Sequence, residues 1–185
     1  DGIIDGVSPD QLLVEMSTTK PSKTETIAAE ARANGATMLD APVIGTPPVA
    51  ERAELTLLVG GPEAAYERLE PIASVLAETL FHVGDVGDGH RAKLINNTVQ
   101  HGSFVIASEA LALASTAGLD QEQLFDVIDS GMGGSALLRA KFGKAFENDF
   151  DPTTEGDLFQ GPVADDAAYD LFGLYVQNRV DLSER

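Results

Sequence analysis

The sequence predicts a mixed α/β protein in which a sheet covered by helices is followed by a purely helical region. Two observations lead to this fold class. Up to about Val83, short apolar runs alternate with amphipathic stretches, which is typical of strands alternating with helices. From Gly89 onward the apolar residues recur only at the spacing of helices. This region includes a long proline-free segment over residues 91–117.

The individual elements follow from local signals in the chain. Buried strands show as short apolar runs, while proline marks the start of a helix and glycine its end. The predicted strands are Leu12–Met16, Ala36–Val43, Glu54–Gly61 and Thr79–Val83, and the predicted helices between them are Ser22–Gly35 and Pro62–Glu78. The predicted helices of the second half are Arg91–Ala117, Gln121–Ile128 and Ser135–Phe146, with Phe125, Phe142, Phe146 and Phe150 as their aromatic core.

The charge balance restricts the partners of the protein. The 185 residues carry 30 acidic and 12 basic side chains, which gives a formal net charge of −18 and a pI of about 4.2. Such a chain repels phosphate backbones and anionic bilayers, so we expect neither nucleic-acid nor membrane partners. The acids are scattered over amphipathic segments, which favours a folded halophilic surface over the alternative of an ordinary acidic mesophilic protein.

Cysteine and hydropathy indicate the compartment. The chain has no cysteine, so disulfides and thiolate metal sites are excluded and a reducing environment is expected. It also has no apolar run of the roughly 18 residues that a membrane span requires, and no leader is visible. We therefore predict a cytoplasmic protein.

The segment GDVGDGHRAKLINN, residues 84–97, concentrates the candidate chemistry. A glycine-rich turn that leads into a helix directs backbone N–H groups and the positive end of the helix dipole outward, which favours an anion. Lys93 lies in the first turns of that helix, and Asn97 projects from the same face four residues later. On spacing alone, a solvated surface lysine remains the alternative.

Several further motifs carry a family resemblance: EMSTTKP (15–21), LDAPVIGTP (39–47), LTLLVGG (55–61) and SEALALASTAGLDQEQLFDVIDSGMGGS (108–135). With the glycine-turn segment they occur in the order found in the β-hydroxyacid dehydrogenases, which include 3-hydroxyisobutyrate dehydrogenase and tartronate semialdehyde reductase. The chain resembles that family from Leu12 to about Ala140. The resemblance implies the C-terminal half of a Rossmann-type domain, residues 1–86, followed by an all-helical domain, residues 87–185, joined by a long helix.

The resemblance also implies an activity and a set of site residues. The activity is oxidoreduction of a small anionic hydroxy acid with NAD or NADP, in a homo-oligomer assembled through the helical domain. The implied roles are Lys93 as the general acid/base, Asn97 with Ile44, Gly45 and Thr46 in substrate binding, and Ser17, Thr18, Gly87 and Gly89 at the cofactor. Arg91 is a second candidate for the positive charge that an anionic substrate requires.

The sequence departs from the family pattern at several points. The pyrophosphate-binding G-x-G-x-x-G of a Rossmann domain does not occur, and the chain opens at Asp1 as if within a domain. Ile44 and Thr46 replace a serine and a glycine, and Gly156 stands at the position of a family lysine. A non-catalytic remnant that acts as a helical dimerisation module is therefore the alternative function. An imine reductase is a third possibility, against which Lys93 argues.

The remaining polar residues are interpreted structurally. His82, His90 and His101 are not spaced as metal ligands, so each is expected on the surface of a strand, turn or helix. Asp40, at the end of a predicted strand, is expected to cap a turn.

Overall fold

A five-stranded mixed sheet forms the first half of the molecule in the computed structural model, which describes residues 2–146. Three helices follow it. After a short 3₁₀ helix at Ile3–Gly6, the elements in chain order are β1 (Leu12–Glu15), α1 (Pro21–Ala33), β2 (Thr37–Asp40), β3 (Val43–Ile44), α2 (Pro47–Glu51), β4 (Leu55–Gly60), α3 (Glu63–Ala73), β5 (Ala77–Gly84), α4 (Asp88–Thr116), α5 (Gln121–Ser130) and α6 (Ala136–Phe146). The predicted fold class is confirmed.

Strand β4 is the centre of the sheet. One of its edges pairs in parallel with β5, and its other edge pairs antiparallel first with β3 and then with the end of β2. Strand β1 pairs in parallel with β2. The buried side chains of β2 and β4 pack on α3 to form the main core: Leu39, Ala41, Leu57, Val59, Ala65, Leu69, Ala73 and Ala77. This arrangement brings the end of β2 beside the beginning of α4.

The single strand predicted over Ala36–Val43 is wrong, because the chain breaks at Ala41 and Pro42 into β2 and β3. Proline has no N–H group to donate to a strand ladder, so a proline two residues after Asp40 favours a break there. The Ala41 N–H donates to the Glu15 carbonyl and the Pro42 carbonyl accepts from Leu58. At this break the chain therefore stops hydrogen-bonding to β1 and begins hydrogen-bonding to β4.

Several boundaries also differ from prediction. Helix α3 ends at Ala73, just after the internal Pro71, and β5 then begins at Ala77, earlier than expected. Helix α2 was not predicted, although Pro47 and Pro48 are favourable first residues of a helix. Helix α4 begins at Asp88, three residues before the predicted start.

Helix α4 connects the sheet to the second hydrophobic core. Its first turns contact the sheet, and its later turns pack against α5 and α6. Ala107, Leu111, Phe125 and Leu138 are buried there, with Phe142 and Phe146 packed against them, as predicted for this aromatic set. Phe150 lies outside the described residues. Over residues 2–146, no helix combines the length and the apolar character needed to cross a membrane.

Candidate active site

The beginning of α4 is anchored by a carboxylate from the sheet. Asp40, at the end of β2, is fully buried, and its two oxygens accept hydrogen bonds from the backbone N–H groups of Gly87 (2.6 Å) and His90 (2.8 Å). Asp40 was predicted to cap the turn that follows its own strand, but its hydrogen bonds go instead to the beginning of α4, which is distant in the chain. The anion at the N-terminus of this helix is thus a side chain of the protein itself, in the position that the helix dipole favours.

The environment of Asp40 favours its ionised form. Burial by itself raises the pKa of this carboxyl, but hydrogen bonds from the His90 side chain and from the backbone N–H groups of Gly87 and His90 outweigh burial. The pKa of Asp40 therefore lies below its ordinary value. The buried carboxylate is stabilised by the helix that it caps.

Gly87 and Gly89 allow α4 to approach the sheet this closely. Gly87 precedes the helix in the left-handed region at φ +96°, which glycine adopts without steric cost. A Cβ atom on Gly89 would lie 2.3 Å from the Leu58 carbonyl oxygen and 2.8 Å from that of Asp40. Gly87 therefore has a conformational role and Gly89 a packing role, whereas their predicted contact with a cofactor stays a prediction.

His90 was predicted on the surface, and this prediction is wrong: its side chain is fully buried. Its Nε2 lies 3.0 Å from the Ser17 carbonyl oxygen, and its Nδ1 lies 3.0 Å from Thr24 Oγ1 and 3.3 Å from Asp40 Oδ2. Sequence reasoning missed this residue because spacing along the helix does not say which face meets the sheet. The signal that could have found it is the neighbouring Gly89, which permits close packing on that side.

Lys93 and Asn97 follow one and two turns later on α4, and both side chains are half-buried. His101 lies one further turn along and is also half-buried. Burial lowers the pKa of His101, and the positive charge of Lys93 lowers it further. Lys93 is therefore close enough to His101 for its charge to be felt there.

Arg91 is a poor candidate for binding an anion. Its guanidinium lies at the exposed surface and forms ion pairs with Glu25 of α1 and with Asp88, the latter at 2.7 Å. These two carboxylates already balance its charge.

Two family models together match nearly the whole described chain. Residues 1–84 match the NAD-binding domain of 6-phosphogluconate dehydrogenase, and residues 87–161 match the NAD-binding model of NADP-dependent 3-hydroxyisobutyrate dehydrogenase. The chain belongs to the β-hydroxyacid dehydrogenase family.

Individual members of the β-hydroxyacid dehydrogenase family agree with this assignment. The chain is 34% identical to 2-(hydroxymethyl)glutarate dehydrogenase of Eubacterium barkeri, over 77% of this chain and 48% of that protein. It is 37% identical to mitochondrial 3-hydroxyisobutyrate dehydrogenase of Drosophila melanogaster, over 70% of this chain and 40% of that protein. A solved 3-hydroxyisobutyrate dehydrogenase of Salmonella typhimurium aligns with a TM-score of 0.73 at 30% identity, over 81% of this chain and 53% of that one. The chain spans about half the length of these relatives.

The other residues implied by the family lie at the ends of strands. Ser17 and Thr18 form the loop after β1, where the Ser17 N–H donates to Glu15 Oε1 at 2.9 Å. Ile44 ends β3, Gly45 has a φ of +148°, and Thr46 precedes α2 with its side chain exposed. The hydrogen bond of His90 connects the first of these loops to α4.

Two further expectations concern the family lysine position and a metal site. The family lysine position, occupied by Gly156, lies outside the described residues. Within residues 2–146, no group of three or more side chains is arranged to hold a metal ion.

Proposed function

We propose that this chain is part of an NAD(P)-dependent dehydrogenase of a small β-hydroxy acid resembling 3-hydroxyisobutyrate. The observation that carries the proposal is the pair Lys93 and Asn97, half-buried on one face of α4 and directly after a helix start that is anchored to the sheet by Asp40. An amine and an amide held in this way can contact the same small alcohol.

Lys93 is the general acid/base of the proposed reaction. In the oxidation direction its neutral amine takes the proton of the substrate hydroxyl. A hydride leaves the carbon that bears this hydroxyl, and the carbonyl forms. Bound NAD or NADP supplies the acceptor for that hydride. Asn97 donates a hydrogen bond to the substrate and fixes its orientation.

The remaining roles concern binding. Ser17 and Thr18, with Gly87 and Gly89, lie along the cofactor, and backbone N–H groups at Ile44, Gly45 and Thr46 hold the substrate carboxylate. Only glycine fits at position 45, because its φ is +148° and a Cβ atom there would lie 2.6 Å from the side chain of Leu55.

A homo-oligomer formed through the helical region is part of the proposal. Helix α4 exposes an apolar stripe whose last three members are seven residues apart: Ile95, Val99, Ile106 and Leu113, each between 67% and 69% exposed. A spacing of seven keeps side chains on one face of a helix, as in helix pairs. The domain division at residue 86 and a cytoplasmic location belong to the same proposal.

The alternative function is a helical dimerisation module that has lost catalysis. The apolar stripe on α4 fits both functions, so nucleotide binding is what separates them. A coding sequence with an in-frame G-x-G-x-x-G segment before Asp1 supports the dehydrogenase. If the full-length protein binds neither NAD nor NADP in a calorimetric titration, that result supports the module.

The experiment that tests the proposal measures oxidation of small β-hydroxy acids with NAD and with NADP by the full-length protein of which this chain is part, as the wild type and as three variants. Lys93→Ala is expected to lower turnover by about a hundredfold or more with little change in cofactor affinity. Lys93→Arg keeps the charge but cannot give up a proton near neutral pH, so it is expected to be equally slow. Lys141→Ala, on α6, is the control and keeps wild-type turnover. Similar rates for the wild type and Lys93→Ala would remove Lys93 from the mechanism.

A further inference from the structure

We propose that His90 is a positioning residue that holds the Ser17–Thr18 loop against the helix that carries Lys93. This inference rests on the proposed function, because the two segments it connects are those assigned to the cofactor and to proton transfer. The contact is between a side chain of α4 and the backbone of the loop after β1, so it joins two elements that are far apart in the chain.

The chemistry of the partners fixes the direction of the contact. The Ser17 carbonyl oxygen can only accept a hydrogen bond, so the His90 Nε2 at 3.0 Å carries a proton and donates it. The other ring nitrogen, Nδ1, faces the Thr24 hydroxyl and the Asp40 carboxylate. Both ends of the imidazole are therefore held, and its rotation is restricted.

The loop is held from two sides at Ser17. The Ser17 N–H donates to the Glu15 side chain at 2.9 Å, and the Ser17 carbonyl accepts from His90. The backbone of His90 is itself fixed, because its N–H donates to Asp40 at 2.8 Å. The peptide between Ser17 and Thr18 thus takes its position from the first turn of α4, one turn before Lys93.

This connection matters for a reaction that requires alignment of a hydroxyl, an amine and a nicotinamide ring. A displacement of about 1 Å between reacting groups can lower a rate by about a hundredfold, even when binding is retained. Loss of the His90 contact is therefore expected to reduce turnover more than it weakens substrate binding.

Two substitutions of His90 distinguish the contribution of Nε2 from that of Nδ1. The amide nitrogen of Gln reaches about as far as Nε2 and can still donate to the Ser17 carbonyl, so His90→Gln is expected to keep turnover within about threefold of the wild type. The shorter amide of Asn reaches only the region of Nδ1. His90→Asn is therefore expected to lower turnover by about tenfold or more, with a smaller change in KM.

His82 provides a matched control, because its Nε2 also donates to a backbone carbonyl, that of Gly61 at 2.7 Å. His82→Asn and His82→Gln are expected to have the same turnover as each other and as the wild type. Thermal unfolding of all four variants checks that the polar replacements at position 90 have left the fold intact.

A second measurement does not depend on activity. Amide hydrogen exchange, followed residue by residue by NMR, is expected to be faster at Ser17, Thr18 and Thr19 in His90→Asn than in His90→Gln or the wild type. If the wild type oxidises no hydroxy acid, the proposed function fails, but this exchange pattern still tests the coupling. Equal exchange in all three proteins, or equal turnover of the Asn and Gln variants, would overturn the positioning role.

Discussion

The Asp40 carboxylate and His90 contact each other twice: Oδ2 accepts the His90 backbone N–H at 2.8 Å and lies 3.3 Å from the imidazole Nδ1 of the same residue. Both side chains are fully buried. One strand end therefore fixes both the backbone and the ring of a residue in the first turn of α4. This carboxylate is therefore one of the contacts that orient the helix relative to the sheet, together with the close packing of Gly89.

Acid is expected to weaken this contact. The pKa of Asp40 is lower in the folded protein than its ordinary value of about 3.9, so its contribution to stability is fully present above that value. It is lost as the pH falls through the lowered pKa. Asp40→Asn is expected to reduce the free energy of unfolding at pH 7 by about 2 kcal/mol and to make stability less dependent on pH below about 4.

Urea unfolding of this variant at a series of pH values provides the measurement. Asp126→Asn is the control, since Asp126 is an exposed residue of α5 and its change leaves stability nearly constant. Parallel pH profiles for Asp40→Asn and the wild type would contradict the prediction.

Two glycines of α4 are expected to respond oppositely to a methyl group. Gly89→Ala introduces a Cβ atom against the Leu58 and Asp40 carbonyl oxygens, so α4 must move away from the sheet, at a cost of about 3 kcal/mol. Gly102→Ala meets nothing within 4 Å and is expected to stabilise the protein by about 0.5–1 kcal/mol. Unfolding midpoints of the two variants give the comparison. Stabilisation by both would mean that Gly89 is not confined against the sheet.

The charge of Lys93 is expected to affect the pKa of His101 in the absence of substrate. Burial and Lys93 both lower the pKa of His101, so Lys93→Met is expected to raise that pKa toward the ordinary value of about 6.5. NMR titration of the imidazole protons measures the change. Asn97→Ala removes no charge and serves as the control. An unchanged His101 pKa in Lys93→Met would show that the two side chains are not electrostatically coupled.

Salt is expected to stabilise the protein. A net charge of −18 on 185 residues produces self-repulsion that favours the unfolded chain, and the Debye length shortens from about 10 Å at 0.1 M salt to about 3 Å at 1 M. We therefore propose a halophilic source and expect the unfolding temperature to rise steeply between 0.1 and about 1 M KCl. Sorbitol at equal osmolality is the control for non-ionic effects. An unfolding temperature that does not depend on the KCl concentration would indicate an ordinary acidic protein.

The sequence by itself determined the change from alternating strands and helices to helices alone, and the position of most elements. Apolar periodicity, the glycine stops and the proline starts are local signals, and they gave β4, α1, α5 and α6 to within a few residues. The motif order was enough to identify the family. Spacing placed Lys93 and Asn97 on one helix face, because residues four apart share a face whatever the helix packs against, and the family resemblance supplied their proposed roles.

Tertiary structure decided the rest, since contacts between segments distant in the chain leave no local signal. The break at Ala41 and Pro42 depends on an exchange of pairing partner from β1 to β4. The burial of His90 depends on the side of α4 that meets the sheet, which Gly89 and the Asp40 carboxylate determine. A histidine that spacing alone assigned to solvent is therefore held inside the protein by hydrogen bonds to β2 and to the loop after β1.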